Sequence, residues 1–122
     1  MDVKLSEFPQ EELTKLPRIS NRNWIGEETI RLHLRNSKKM EWYISEYDQY
    51  GRRLFGFLDS HADGFYWGLF SLDELLNYGK KGSAWQVVVD RSWMPVKSKD
   101  IDALKGYINL MLSLPDIQLD AH

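Results

Sequence analysis

The chain contains no cysteine, and none of its apolar runs approaches the roughly 20 residues that a membrane-spanning helix needs. Without cysteine there can be no disulfide, thiolate metal site or thiol nucleophile, and an intracellular location is favoured. The first residues are acidic and lack the apolar core of a secretory signal. We therefore expect a cytoplasmic protein that has no membrane partner.

Phosphate-binding and nucleophile motifs are missing as well. The glycines at 51, 56, 64, 68, 79 and 82 fall at predicted turns or singly within strands, so they form no phosphate loop. No serine has the sequence context of a nucleophile elbow, and no spacing singles out a pair of carboxylates for acid–base catalysis. We predict no catalytic residue and no cofactor, which favours a non-enzyme without deciding the question.

What the chain does have is apolar surface. Its 122 residues are 43% hydrophobic and 13% aromatic, with five Trp. This length is enough for one domain with a hydrophobic core and too short for two. We predict a single domain over 1–122, in which a helix occupies 99–114 and a loose tail follows over 115–122.

Charge is divided unevenly along the chain, although the net charge is only −2. Residues 18–39 hold six basic and two acidic side chains, whereas residues 40–74 hold seven acidic and two basic ones. Such a division can create one positive and one negative region on the surface, or folding can mix the two segments. The sequence leaves both arrangements open.

Hydrophobic periodicity predicts mainly strands. In residues 29–35 the aliphatic side chains at 30, 32 and 34 share one face, and Arg31, His33 and Arg35 share the other. Further strand signals cover 41–47, 54–58, 65–70 and 85–90. The short polar loops between most of them are typical of an antiparallel meander.

Helices are predicted at 7–16, after Ser71 and at 99–114. Ser71 and Glu74 form a capping box, Gly79 supplies a left-handed terminator, and Ser98 or Asp100 is placed to cap the last helix. The predicted fold class is therefore α+β: a twisted antiparallel sheet of about five strands, with two to three helices packed mainly on one face.

Several segments resemble one family. They are ELTKLP (12–17), EWYISE (41–46), the pair Phe55–Gly56, GLFSLDEL (68–75) and DRSWMP (90–95). Over about residues 10–102 the chain resembles a bacterial single-domain family catalogued as "domain of unknown function 2958", whose members occur on plasmids, phages and other mobile elements. It departs from that family at Leu69, where members carry Tyr, and at Trp67, where many are acidic. The resemblance implies a small accessory protein that acts on a host defence or replication component.

The abundance of aromatic residues suggests a protein-binding surface. They exceed what one small core easily covers, and Trp and Tyr are enriched at protein interfaces. We therefore predict a protein partner, leave the oligomeric state open, and take as candidate contacts Tyr66, Trp67, Trp93, Asp59 and Asp63. The alternative is that all of these aromatic side chains belong to the core.

Two other functions stay open. A basic strand face could bind nucleic acid through Arg31, His33, Arg35, Lys38 and Lys39, unless glutamates on the neighbouring strand neutralise it. The spacing Asp59-x-His61-x-Asp63 could place three ligands around a divalent cation, as in a small metal-dependent hydrolase. The simpler interpretation of that segment is a solvated hairpin turn.

Overall fold

The aromatic-rich middle of the chain forms the long strands of the sheet. The computed structural model describes residues 2–20, 25–79 and 82–114. Three consecutive strands pair antiparallel: β4 (Glu41–Asp48), β5 (Arg53–Asp59) and β6 (Phe65–Ser71). These strands are rich in aromatic residues, which favour this conformation, and the meander predicted from the sequence is confirmed over this region.

Shorter strands complete the sheet on the other side of β4. They are β1 (Asp2–Lys4), β3 (Leu32–Arg35) and β7 (Val88–Asp90), and the spatial order is β1-β7-β3-β4-β5-β6. A separate ribbon pairs β2 (Thr29–Ile30) with β8 (Val96–Lys97). The predicted α+β class is confirmed, with six strands in the main sheet.

Three α-helices pack on the sheet: α1 (Gln10–Leu13), α2 (Leu72–Leu76) and α3 (Asp102–Ser113), with 3-10 turns at Leu5–Glu7 and Ser98–Asp100. The two short helices lie on one face, and α3 covers part of the other. Within the described ranges, no helix has the length and apolar character needed to cross a membrane.

The sheet consequently has a hydrophobic core on each face. The core beneath α1 and α2 is the larger, and its buried members are Leu5, Leu13, Leu32, Leu34, Trp42, Ile44, Tyr47, Leu54, Leu72, Leu75, Val87 and Val89. The core beneath α3 consists of Ile30, Tyr43, Phe57, Leu104 and Ile108. Two cores explain how so small a chain accommodates so many aromatic side chains.

A β-bulge at Arg31 changes the predicted alternation. Leu32 is paired with Ile44, and the N–H of Arg31 donates to the carbonyl of the same Ile44 at 2.9 Å. Two residues therefore oppose one, which reverses the direction in which the preceding side chains point. Ile30 lies in the α3-side core, whereas Leu32 and Leu34 lie in the opposite core, so the prediction that these three share one face is wrong.

The helix ends are partly as predicted. The Oγ of Ser71 accepts the N–H of Glu74 at 3.2 Å, which confirms the predicted N-terminal cap of α2. The helix ends at Leu76 with Asn77 as its C-cap, so Gly79 adopts the predicted left-handed conformation, φ +74°, but lies beyond the helix end and does not terminate it. The last helix is present as α3, but the prediction that Ser98 or Asp100 caps it is wrong, because its N-cap is Ile101, whose side chain makes no capping hydrogen bond. Ser98 is buried instead and its hydroxyl donates to Glu28 at 2.6 Å.

Other predicted boundaries shift. The helix expected at 7–16 is only the four-residue α1, and the strand expected from Trp85 begins at Val88, since Trp85 lies in an exposed turn. Strands β1 and β8 were not predicted. The predicted tail at 115–122 lies outside the described residues.

Two glycine substitutions should have opposite effects on stability. A Cβ on Gly56 would lie 2.0 Å from the backbone oxygen of Tyr43, whereas a Cβ on Gly106 in α3 meets nothing within 4 Å. We expect Gly56→Ala to lower the free energy of unfolding by about 3 kcal/mol. Gly106→Ala should raise it by about 1 kcal/mol, because Ala favours helix. Urea unfolding followed by Trp fluorescence measures both; equal effects would contradict the close approach of β4 and β5.

Candidate functional site

His33 lies at the centre of a chain of polar side chains on the α3 side of the sheet. It projects from β3 and is buried. Its Nδ1 lies 2.9 Å from Oδ2 of Asp90 on β7, and its Nε2 lies 2.8 Å from Oε1 of Glu41 on β4. Because a carboxylate faces each ring nitrogen, both nitrogens can donate only when the imidazole is protonated.

The electrostatics agree with a protonated ring. Burial of His33 opposes protonation, but the hydrogen bonds to Glu41 and Asp90 outweigh it and raise the pKa of His33. The His33 hydrogen bond in turn lowers the pKa of Glu41. Burial opposes ionisation of Asp90, but hydrogen bonds from Ser92 and His33 outweigh it and lower its pKa to about 2. The three residues therefore form a chain of alternating charge in which the imidazole is buried and the two carboxylates are partly buried.

Aromatic rings enclose this chain. Tyr43 stacks on the His33 ring with centroids 5.0 Å apart, and Trp93 lies against it at 4.8 Å. The Trp93 indole N–H donates to the carbonyl of Ile30 at 3.0 Å. Trp93, predicted as a protein contact, is thus a partly buried wall of the His33 site.

Glu41 also belongs to a second cluster. It is paired directly with Asp59 across β4 and β5, and ligand atoms of Glu41, Asp59 and His61 all lie within 4.8 Å of one another. The structure therefore brings two of the three predicted metal ligands together, with Glu41 as their neighbour. Asp63 is exposed and lies outside this cluster.

The predicted basic residues are not brought together. Arg31 borders a hollow beside Glu12 and Leu13, on the α1 side. His33 is buried on the α3 side, and Arg35 forms an ion pair with Asp2. Lys38 and Lys39 lie in the β3–β4 turn, where Lys38 sits 5.2 Å from the Trp85 ring centroid.

Sequence reasoning missed a buried carboxylate that supports β6. Glu28 accepts the Trp67 indole N–H at 3.0 Å, and its other oxygen accepts from Ser98 Oγ and from the N–H of Gly26. These bonds tie β6 to the segment before α3. The signal for this role in the sequence is weak, since Glu28 is simply an acidic residue in a segment that otherwise resembles a turn. Trp67 is therefore partly buried and internally bonded.

Strand β6 forms an open edge of the sheet. At the two ends of the pairing, the N–H of Ser60 donates to the carbonyl of Gly64 and the N–H of Leu72 donates to the carbonyl of Arg52. In this antiparallel register the even-numbered residues of β6 hydrogen-bond to β5. The same alternation directs the backbone groups of residues 65, 67 and 69 away from β5. In the described part of the chain no strand pairs with them.

Apolar side chains stand along this edge. Phe65, Tyr66 and Leu69 are 38%, 50% and 41% exposed. Of these three residues, Leu69 borders a hollow of about 200 Å³, whose other lining residues are Met40, Trp42, Leu58, Phe70, Ser71, Glu74, Leu75 and Tyr78. Of the predicted protein contacts, Tyr66 lies on this edge, whereas Asp59 is only 5% exposed and offers little surface to a partner.

The raised pKa of His33 predicts how stability depends on pH. The protonated ring stabilises the folded state fully below about 6.5, its unfolded pKa, and this contribution is lost as the pH rises through the folded pKa. The free energy of unfolding should therefore fall above about pH 6.5. Urea unfolding across this interval should show a smaller fall for His33→Gln. Equal slopes in the two proteins would contradict the assignment.

Comparison with known proteins adds no assignment. No family model, curated protein or solved structure matches the chain. The resemblance noted in the sequence therefore stays a prediction, and the function has to be argued from the residues themselves.

Proposed function

We propose that this chain is a non-enzymatic binding module that accepts an extended segment of another protein as an additional strand on β6. The observation that carries the proposal is the open edge of this seven-residue strand. Unpaired edge strands are templates for pairing with another chain, and proteins usually protect them with charge, proline or a bulge. β6 contains none of these, since its sequence is FYWGLFS and its pairing with β5 is regular.

The backbone supplies the affinity in this mode of binding. The outward N–H and C=O groups of Phe65, Trp67 and Leu69 can form a ladder with a guest strand. The edge is well supported, because the Trp67 side chain is fixed by Glu28 and the whole of β6 is paired with β5. A rigid edge reduces the entropy cost of binding.

The side chains give specificity. Tyr66 and Leu69 are exposed on the edge, and the neighbouring hollow is mainly apolar. In β-strand addition, alternate side chains of the guest enter pockets beside the edge. A guest with apolar residues at every second position matches this surface.

Charge favours a foreign strand over a second copy. Acidic side chains flank β6, with Asp63 before it and Asp73 and Glu74 after it. If two copies paired antiparallel about the middle of β6, Asp63 of one copy would approach the start of α2 in the other, where Asp73 is paired with Arg52 but Glu74 has no basic partner in the part of the chain that the structure describes, and like charges repel. Asp63 and Glu74 form no ion pair with other described residues. A guest with basic residues at its ends complements these flanks.

The setting of the interaction follows from the sequence. The resemblance to a mobile-element family makes a host defence or replication component the first class of partner to test. The absence of cysteine is in keeping with binding in the cytoplasm.

A displayed library of random peptides about 12 residues long should yield strand-forming guests. Selected peptides should show alternating apolar residues with Lys or Arg at the ends. Leu69→Lys should weaken their affinity at least about tenfold, since a charge on the edge disfavours pairing and repels basic ends. Leu110→Lys, which changes a more exposed leucine in α3, should leave it unchanged.

Amide hydrogen exchange locates the binding. In the free protein the N–H groups of residues 66, 68 and 70 should exchange slowly and those of 65, 67 and 69 quickly. The bound peptide should slow the second group. Protection elsewhere, helical guests, or concentration-dependent self-association through β6 in sedimentation would each contradict the proposal.

A further inference from the structure

We propose that Glu41, Asp59 and His61 form a binding site for a divalent transition-metal ion. Three side chains from β4, β5 and the β5–β6 loop each present one ligand atom, and these atoms lie within 4.8 Å of one another. Ligands about 2.0 to 2.2 Å from a common ion are separated by up to about 4.4 Å. Small side-chain rotations therefore suffice to bring all three onto one ion.

The loop presents Asp59 and His61 as a pair. Oδ1 of Asp59 accepts the backbone N–H of His61 at 3.1 Å, which stabilises a turn in which His61 adopts φ +57°. This turn folds the imidazole back, so that its Nε2 lies 3.6 Å from Oδ2 of Asp59. That distance is too long for a hydrogen bond, and it is suited to two ligands of one ion.

The negative charges of Asp59 and Glu41 are not fully compensated by nearby basic groups, so the pair can accept a cation. The two carboxylates are directly opposite on neighbouring strands, where like charges repel. Asp59 is 5% exposed, and among the described residues neither carboxylate forms an ion pair with Lys or Arg. The His33 charge is shared with Asp90, so a bound ion would remove the remaining repulsion between them.

Hydrogen-bonded neighbours fix the orientation of the Glu41 carboxylate, as they do for carboxylates that bind a metal ion. Oε1 of Glu41 accepts from Nε2 of His33, and Nδ1 of the same ring is hydrogen-bonded to Asp90. Chains of this kind fix the direction of a ligating carboxylate. Tyr43 also hydrogen-bonds to the Glu41 carboxylate, and one ligand oxygen of Glu41 lies within 4.8 Å of the ligand atoms of Asp59 and His61. The side chain of His61 is 53% exposed, so an ion can reach the site from solvent.

The ligand types indicate the class of ion. An imidazole nitrogen beside two carboxylates suits Zn²⁺, Mn²⁺ or Fe²⁺, whereas Mg²⁺ and Ca²⁺ prefer oxygen alone. Three protein ligands leave at least one coordination position for water. The site is built on β4 and β5 and does not use the open edge of β6, so it is independent of peptide binding.

Metal binding can be measured with Zn²⁺ by calorimetry and with Co²⁺ by visible absorption, using the metal-free chain. We expect one ion per chain and a Co²⁺ spectrum typical of mixed nitrogen and oxygen ligands. His61→Asn should weaken Zn²⁺ binding at least about tenfold, while Asn still tolerates the left-handed backbone. Asp63→Asn, in the same loop but outside the cluster, should bind as the wild type does.

Three results would overturn this site: no stoichiometric binding to the wild type, equal affinity in His61→Asn, or equal losses in His61→Asn and Asp63→Asn. A further variant, Glu41→Gln, tests the ligand on β4 and should lose the Co²⁺ spectrum. Its circular dichroism confirms that it is folded. Leu69→Lys should bind Zn²⁺ normally, so failure of the peptide-binding proposal and failure of this one are distinguishable.

Discussion

The fold depends on the buried imidazole of His33 held between Asp90 and Glu41. These three residues join the consecutive strands β3 and β4 to β7, which comes from a distant part of the sequence. Loss of either carboxylate would leave the buried imidazole with only one partner to compensate its positive charge. The positive charge of His33 compensates the carboxylates on the face that α3 partly covers. The same contact holds Glu41 close to Asp59 and His61.

The α3-side face is divided into two regions with different chemistry. Phe57, Phe65 and Trp67 pack around Tyr107 and the other inward residues of α3. The polar region around His33 lies beyond, with Trp93 between polar and apolar surroundings. The open edge of β6 is a third surface. A chain of this size can therefore carry an ion site and a strand-binding edge without either using the residues of the other.

The sequence predicts the local structure well and the distant pairing poorly. The strands from Glu41 to Ser71 and the Ser71 cap follow from alternation and capping chemistry, which act over a few residues. The position of β7 between β1 and β3 does not follow from the sequence pattern, because three-residue strands carry almost no periodic signal. The bulge at Arg31 likewise has no signature in the pattern. For the candidate site, Asp59 and His61 follow from their spacing, whereas Glu41 required the register of β4 against β5.

The position of β7 has a consequence for how the protein is made. Among the described strands β1 pairs only with β7, so residues 2–4 cannot pair until residues 88–90 have been synthesised. During synthesis on the ribosome the meander β4–β6 can assemble as soon as it emerges, since its contacts are local. The opposite side of the sheet cannot close until Asp90 has left the exit tunnel. The nascent chain therefore passes through a stage in which β3, like β6, is an unprotected edge.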